Sequence, residues 1–399
     1  MNGSGSAQGD IRIRLFGRTD VGQIREHNED NFLIGDLTRR SRTLLESDRE
    51  QRVGEWGSVM GVCDGMGGAA AGEIASQLAV DIIFERLIQG DPPTERDALA
   101  RRLVRAVEDA GIRIFNEARA DRTRRGMGTT ATIAALVDAR LFVAQVGDSR
   151  AYILRGDRLV QVSRDQSLVN QLIEAGQLTE EEAETFEHNN IILQALGTAE
   201  TVQVDLTYVD LKRGDRLLLC SDGLSGMVRA EELREVLMTQ RDPLDACKEL
   251  TDRANRAGGH DNITVIVADF DGTGLPPKDS EGELSYKKYA LPDLPPADSL
   301  PRTAPVSSQA STAAPLSEEA QRESRRLRVG HTMVGIQFSL PEAVQRGSNS
   351  GSDLVEAPEF AGQDEPVSLP ISGLPPVVVG GMVLATMILV ALAGFMLLR

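Results

Sequence analysis

Cysteine is scarce in this chain: Cys63, Cys220 and Cys247 are the only three among 399 residues. Their number is odd, they show no CxxC spacing, and two lie inside apolar runs. That weighs against a disulfide framework and against a thiolate zinc site, and the three read as buried thiols of a reducing compartment. Histidine is nearly as rare. His27, His188, His260 and His331 are not spaced as ligand pairs, which again disfavours zinc. Basic residues are outnumbered, 43 Lys and Arg against 60 Asp and Glu, for a formal net charge of −17. A nucleic-acid partner is excluded on that balance, because phosphate backbones require clustered positive charge. There are no internal repeats. The Gly/Ser-rich opening, residues 1–10, lacks an apolar stretch, so no signal peptide is expected and the domain that follows is expected in the cytoplasm.

What the chain has instead is four aspartates at the ends of apolar runs. They occur in Val62-Cys63-Asp64-Gly65-Met66-Gly67-Gly68, Val146-Gly147-Asp148-Ser149-Arg150, Cys220-Ser221-Asp222-Gly223 and His260-Asp261-Asn262-Ile263. A carboxylate at the mouth of a buried strand is costly unless it is paired or binds a cation. Four such sites without matching basic motifs point to one shared metal centre. Oxygen ligands suit a hard divalent ion, Mg²⁺ or Mn²⁺.

Residues 11–271 alternate short β-like runs with helical stretches. The strands predicted are Arg12–Arg18, Val59–Cys63, Thr130–Val137, Leu141–Val146, Tyr152–Leu154, Leu159–Val162, Val202–Tyr208, Arg216–Leu219 and Ile263–Asp269. Gly156-Asp157 reads as a two-residue hairpin, and Asp138-Ala139 as a second one without glycine. Such short links require antiparallel neighbours. Helices are predicted over Ala70–Gln89, Arg96–Ala120, Ser167–Ala175, Glu231–Met238 and Leu244–Ala257. The pattern gives an α+β domain of two sheets with helices outside them.

Composition changes after Asp271. Residues 272–372 are rich in Pro, Ser, Ala and charge, and are expected to form a disordered linker. Within it, residues 325–337 include Arg325-Arg326-Leu327-Arg328 and Val329-Gly330-His331-Thr332, a possible short motif for a partner or for a kinase acting on Thr332; a sticky piece of linker is the blander reading. Residues 377–398 are almost wholly apolar and uncharged, about the 20 residues that a transmembrane helix needs. A single-pass C-terminal membrane anchor is the expectation, with a buried core helix as the alternative.

The N-terminal block Arg25-Glu26-His27-Asn28-Glu29-Asp30 adds an arginine able to fork onto phosphate and acids able to reach metal. Gly65 can offer a carbonyl to a cation, and Gly67-Gly68 allow a sharp turn into a helix whose amino end favours anions. Two ions sharing a hydroxide would permit in-line attack on a phosphate ester. Taken in order, these blocks, with Gly128-Thr129-Thr130 and Gly259-His260-Asp261-Asn262-Ile263-Thr264, resemble the bacterial PP2C-type (PPM) serine/threonine phosphatases over about Arg12–Phe270.

That resemblance implies a four-layer α-β-β-α sandwich and a metal-dependent phosphatase acting on phosphoserine and phosphothreonine through a hydroxide bridging two ions, Mn²⁺ or Mg²⁺, with a possible third ion. It implies that Asp64 bridges the ions and Gly65 adds its carbonyl. Asp222 and Asp261 would hold one ion; Glu29 and Asp30 would support the other through waters. Arg25 would clamp the phosphate, Asp148 would serve the third ion, and Asn262 would help by hydrogen bonds. Implied partners are phosphorylated proteins, in particular serine/threonine kinases and their substrates; the apolar run at 377–398 is what would bring them together at a membrane.

Two departures matter. Met66 stands where eukaryotic relatives often have a proton-donating His, so a water on the metal would be the acid. Arg164-Asp165-Gln166-Ser167 stands where relatives often show Asp-His-Ser. A flap is expected over Gln171–Leu196, with Gly176 and Gly197 as hinges and an acidic face at Glu180–Glu187 that is solvated rather than ligating. Gly128-Thr129-Thr130 reads as structural, and Arg150 as the partner of a nearby carboxylate. The competing function is a catalytically silent binding module of the same fold on a membrane anchor.

Overall fold

Continuous apolar runs in the central strands decide the architecture, because a strand that buries both faces must be sandwiched on both. A computed structural model describes residues 10–42, 49–67, 71–93, 95–183, 186, 190–278 and 284–291. The chain opens with β1 (Arg12–Asp20), β2 (Asn31–Asp36), β3 (Glu50–Arg52), β4 (Ser58–Cys63) and β5 (Gly65–Met66). Helices α1 (Ala71–Leu87) and α2 (Arg96–Ala120) follow, then β6 (Gly128–Thr129), β7 (Ala131–Val137), β8 (Arg140–Val146), β9 (Arg150–Arg155) and β10 (Arg158–Gln161). After α3 (Leu168–Glu174) and α4 (Glu180–Ala183) come β11 (Asp205–Asp210), β12 (Arg216–Cys220), α5 (Asp222–Ser225), α6 (Ala230–Thr239), α7 (Pro243–Arg256), β13 (Ile263–Asp271) and β14 (Lys287–Lys288).

Two six-stranded antiparallel sheets result, in the orders β10-β9-β12-β13-β1-β3 and β14-β11-β8-β7-β4-β2. Strand β7 explains the layering. Ala131, Ile133 and Ala135 join the core shared with α1 and α2, whereas Ala134 and Leu136 join the core between the sheets. Strand β13 does the same on the other side: Ile266, Ala268 and Phe270 face the opposing sheet, and Val265 and Val267 face α6 and α7. Three apolar cores thus separate four layers, α-β-β-α, as expected. Both predicted hairpins form. Gly156 takes φ +66°, and Asp138 takes φ +50°, a left-handed position that aspartate tolerates better than most residues.

The departures have physical reasons. In the two large sheets β2, β3 and β14 were not expected: Glu50–Arg52 and Lys287–Lys288 are polar edge strands that carry no apolar pattern, and Asn31–Asp36 holds only the short apolar run Phe32-Leu33-Ile34. The strand expected over Val202–Tyr208 is displaced to Asp205–Asp210, which pairs with β8. Within the linker expected over residues 272–372, the described residues 284–291 pack against the domain. Lys287–Lys288 pairs with β11, and Tyr289 packs edge-on against Phe142 and Tyr208 at centroid distances of 5.1 and 5.4 Å. The folded unit therefore extends to Leu291. Among the described residues no helix is long and apolar enough to cross a membrane. The expected anchor at 377–398 and the segment 325–337 lie outside the described residues.

Candidate active site

Sheet register gathers the acids. Asn31 pairs with Cys63, Val62 with Thr132, Ala131 with Val146, and Cys220 with Val265. Glu29 and Asp30 precede β2, Asp64 follows β4, Asp148 follows β8, Asp222 follows β12, and Asp261 precedes β13. In antiparallel sheets these are the same ends, so residues 29 to 261 meet at one edge of the sandwich. A cavity of about 510 Å³ opens there. Seven of the expected site residues line it: Arg25, Glu29, Asp64, Gly65, Asp222, Asp261 and Asn262. Asp30 and Asp148 do not; they sit behind the wall.

Each acid is held by its neighbours. Asp64 is fixed through its backbone: its N–H donates to Thr130 Oγ1 at 2.9 Å, and its carbonyl accepts from Thr130 N and Thr129 Oγ1 at 2.8 Å each. The structural reading of Gly128-Thr129-Thr130 is thereby given a cause, since Thr129 also pairs with Met66's strand neighbour Gly65. Asp30 Oδ2 accepts from Ser221 Oγ at 2.8 Å and Thr264 Oγ1 at 2.7 Å. Asn262 stitches the N-terminal loop to β13, accepting from Glu29 N at 2.8 Å and donating to Val21 O and His27 O. Gly65 has no room for a side chain: a Cβ would lie 2.3 Å from Gly72 O and 2.4 Å from Glu29 O.

The electrostatics are those of a site short of positive charge. Burial, and then the charges of Asp30, Asp222 and Asp148, push the Asp64 carboxyl well above the usual range. Burial pushes Asp30 up to about 8, despite its two hydroxyl donors, and Asp148 up to about 7, with Asp222 and Asp165 adding repulsion. Asp222 is raised by burial and by the charge of Asp261. Asp30 Oδ1, Asp148 Oδ1 and Asp222 Oδ1 are buried without a hydrogen-bond partner. Three orphaned carboxylate oxygens in an all-oxygen donor set fit a hard divalent cation. Among the described residues, no three His, Cys, Asp or Glu side chains are drawn together as closely as a coordination sphere holds them. Instead the Arg25 guanidinium donates to Asp261 Oδ2 at 2.7 Å, so the residue expected to clamp phosphate neutralises an expected ligand.

Met66 lines the cavity, as do Asn190 and Ile192 from the expected flap. Arg150 pairs with Asp165 at 2.7 Å rather than facing the cavity. Glu180 and Glu182 are exposed, in keeping with a solvated face. The cysteines are free and buried, burial holding Cys220 and Cys247 up to about 12. Sequence reasoning missed Ser221 and Thr264. Their signal was available: each is a small hydroxyl interrupting an otherwise apolar buried run beside an aspartate.

Comparison with known proteins identifies the family. The family model for protein phosphatase 2C matches residues 38–261. The serine/threonine phosphatase stp of Listeria innocua is 34% identical over 252 residues, covering 63% of this chain and 94% of that one. Protein phosphatase PhpP of Streptococcus pneumoniae is 38% identical over 252 residues, covering 62% and 94%. Among solved structures, the Mycobacterium tuberculosis serine/threonine phosphatase PstP/Ppp superposes with a TM-score of 0.56 at 33% identity, covering 65% of this chain and 99% of that one. The PstP catalytic domain in complex with two manganese ions gives 0.55 at 33% identity, covering the same shares. A sandwich whose acids converge at one edge, a family model that matches more than half of the chain, and relatives of this kind place it in the protein phosphatase 2C family as a bacterial protein serine/threonine phosphatase.

Proposed function

We propose that this cavity hydrolyses phosphoserine and phosphothreonine in proteins with two divalent ions, Mn²⁺ or Mg²⁺, and a third, looser one. The observation that carries the reading is the set of three buried, unpartnered carboxylate oxygens on Asp30, Asp148 and Asp222. Asp64 would bridge the two ions, with the Gly65 carbonyl beside it. Asp222 and Asp261 would hold one ion, Glu29 and Asp30 would support the other, and Asp148 would serve the third. When bound, the ions supply a water acidic enough to attack near neutral pH and offset the phosphate's charge.

The chain's own part is positioning. Arg25 is about half exposed and can swing from Asp261 to the phosphoryl oxygens, where its fork fixes the ester for in-line attack. A water oxygen forms the new bond to phosphorus as the bond to the serine or threonine oxygen breaks. Met66 has no proton to give, so the leaving oxygen is protonated from water in the open cavity. The test is direct. The purified chain with Mn²⁺ should release phosphate from a phosphothreonine peptide, chelator should stop it, and Asp64→Asn should stay inactive when Mn²⁺ is restored. Full turnover by Asp64→Asn would overturn the assignment.

The apolar run at 377–398 supports, from sequence alone, a tail anchor that leaves the catalytic domain in the cytoplasm. A tether of this kind raises the local concentration of membrane-bound phosphoproteins, serine/threonine kinases among them. Fractionating cells that express the full chain, or a chain ending after Leu291, tests it. Equal solubility of the two would discard the anchor, and digestion of the domain by protease added to intact cells would discard the cytoplasmic orientation.

A further inference from the structure

Asp148 sits in a turn, and the clamp on that turn comes from one buried side chain, Gln166 of the Arg164-Asp165-Gln166-Ser167 block. Gln166 is 6% exposed. Its backbone N–H donates to Gly147 O at 2.9 Å, and its Oε1 accepts from Gly147 N at 3.0 Å. Both bonds fall on the residue before Asp148, and Gly147 has φ +99°, a conformation that side-chain-bearing residues rarely adopt. Its Nε2 lies 3.2 Å from Asp205 Oδ2 and 3.4 Å from Gln203 O. Its carbonyl accepts from Leu193 N at 2.8 Å, while Ser167 bridges to Ile192 and Leu168 N donates to Ile191 O. Asn190 and Ile192 line the catalytic cavity.

The same turn is held from its other face. Gln145 Nε2 donates to Gly147 O and Ser149 O, and Ser149 Oγ meets Thr130 Oγ1 at 2.8 Å, the atom that accepts from Asp64 N. A continuous set of buried hydrogen bonds thus runs from the flap's return segment, through Gln166 and Gly147, to the backbone of Asp64.

We propose that Gln166 is a positioning residue of this phosphatase, clasping Gly147 so that Asp148 is presented to the third cation and tying that turn to the cavity wall at Asn190–Leu193. The role needs an acceptor and a donor on one planar group. Glutamate would set a second carboxylate against Asp205, leucine would strand the buried Gly147 N–H, and histidine would keep one acceptor and one donor. The inference rests on reading Asp148 as a cation ligand.

The experiment measures Mn²⁺ binding to the full chain by the electron paramagnetic resonance signal of free Mn²⁺, with melting temperature recorded in parallel. Asp148→Asn should lose the weakest ion. Gln166→Leu and Gln166→Glu should weaken that ion roughly tenfold, the scale of support lost around a metal ligand, and leave the two tighter ions unchanged. The Mn²⁺ needed for half-maximal hydrolysis should rise by the same factor. Gln166→His should restore both to within about twofold, and Gln166→Leu should add nothing in the Asp148→Asn background. If Asp148→Asn loses the weak ion while folded Gln166→Glu binds it normally, the role of Gln166 is wrong and that of Asp148 stands. If Asp148→Asn keeps the weak ion, both fall. Uniform weakening of all ions with a lowered melting temperature would make Gln166 merely structural. Should Gln166→Leu not fold, Gln166→Glu and Gln166→His carry the same comparison.

Discussion

Strands β12 and β13 carry acids at both ends, and the two ends are treated in opposite ways. At one end Arg216 lies in register with Asp269 and donates to both its oxygens, and Arg14 adds a third bond at 3.0 Å. Nearby, Asp215 is 1% exposed and is met twice by Arg155, at 2.8 and 2.6 Å. Arg216 is used up there, since it also caps the carbonyls of Leu237, Gln240 and Arg241. At the other end Asp222 keeps an orphaned oxygen, as do Asp30 and Asp148 beside it, and the charge that reaches the cavity wall is Arg25 on Asp261. The fold can satisfy a buried carboxylate with an arginine. Where it leaves several unsatisfied together, the missing charge is expected from outside the chain.

The largest expected effect tests the uncompensated end. Asp222→Asn should lower kcat/KM on a phosphopeptide by roughly 10³-fold, the scale of losing a fixed transition-state charge, yet should not lower the melting temperature of the metal-free chain. A stability loss without an activity loss would invert the comparison. Next in size is the pH response of that chain. Burial raises Asp30 to about 8 and Asp148 to about 7, so the folded state keeps protons that the unfolded state has released above about pH 4. Stability in chelator should therefore fall as pH rises from about 4 through these values, and saturating Mn²⁺ should flatten the slope. A melting temperature that rises with pH in chelator would refute it.

The compensated end should respond in the opposite sense. Asp269→Asn should cost about 3 kcal/mol of stability by leaving Arg216 without its counter-charge, with kcat/KM near that of the unchanged chain. Denaturant unfolding with a phosphopeptide assay on the same sample measures both. The smallest effect concerns the edge. Tyr289→Ala, in the segment that pairs with β11, should cost about 1–2 kcal/mol and leave turnover intact. An unchanged midpoint would mean that the folded unit does end near residue 271.

Much of this was legible in the sequence because the chemistry is local. An aspartate before glycine at the end of an apolar run marks a strand mouth whatever surrounds it, and seven of the nine expected site residues line the cavity. The polar edge strands β3 and β14 were not legible, since Glu50–Arg52 and Lys287–Lys288 bury too little apolar surface to leave a pattern. Nor was the pairing of Arg25 with Asp261, because 236 residues separate them and no local rule relates the two. Ser221 and Thr264 were visible only as oddities until the fold put both hydroxyls on Asp30.

The order of the acids, the apolar strand runs and the oxygen-only ligand set were determined by the sequence, because each is a property of neighbours along the chain. Which carboxylates share an edge, which are met by arginine and which are left bare were decided by tertiary structure alone. Antiparallel register sets strand ends side by side, and only that juxtaposition determines whether a buried charge finds its opposite.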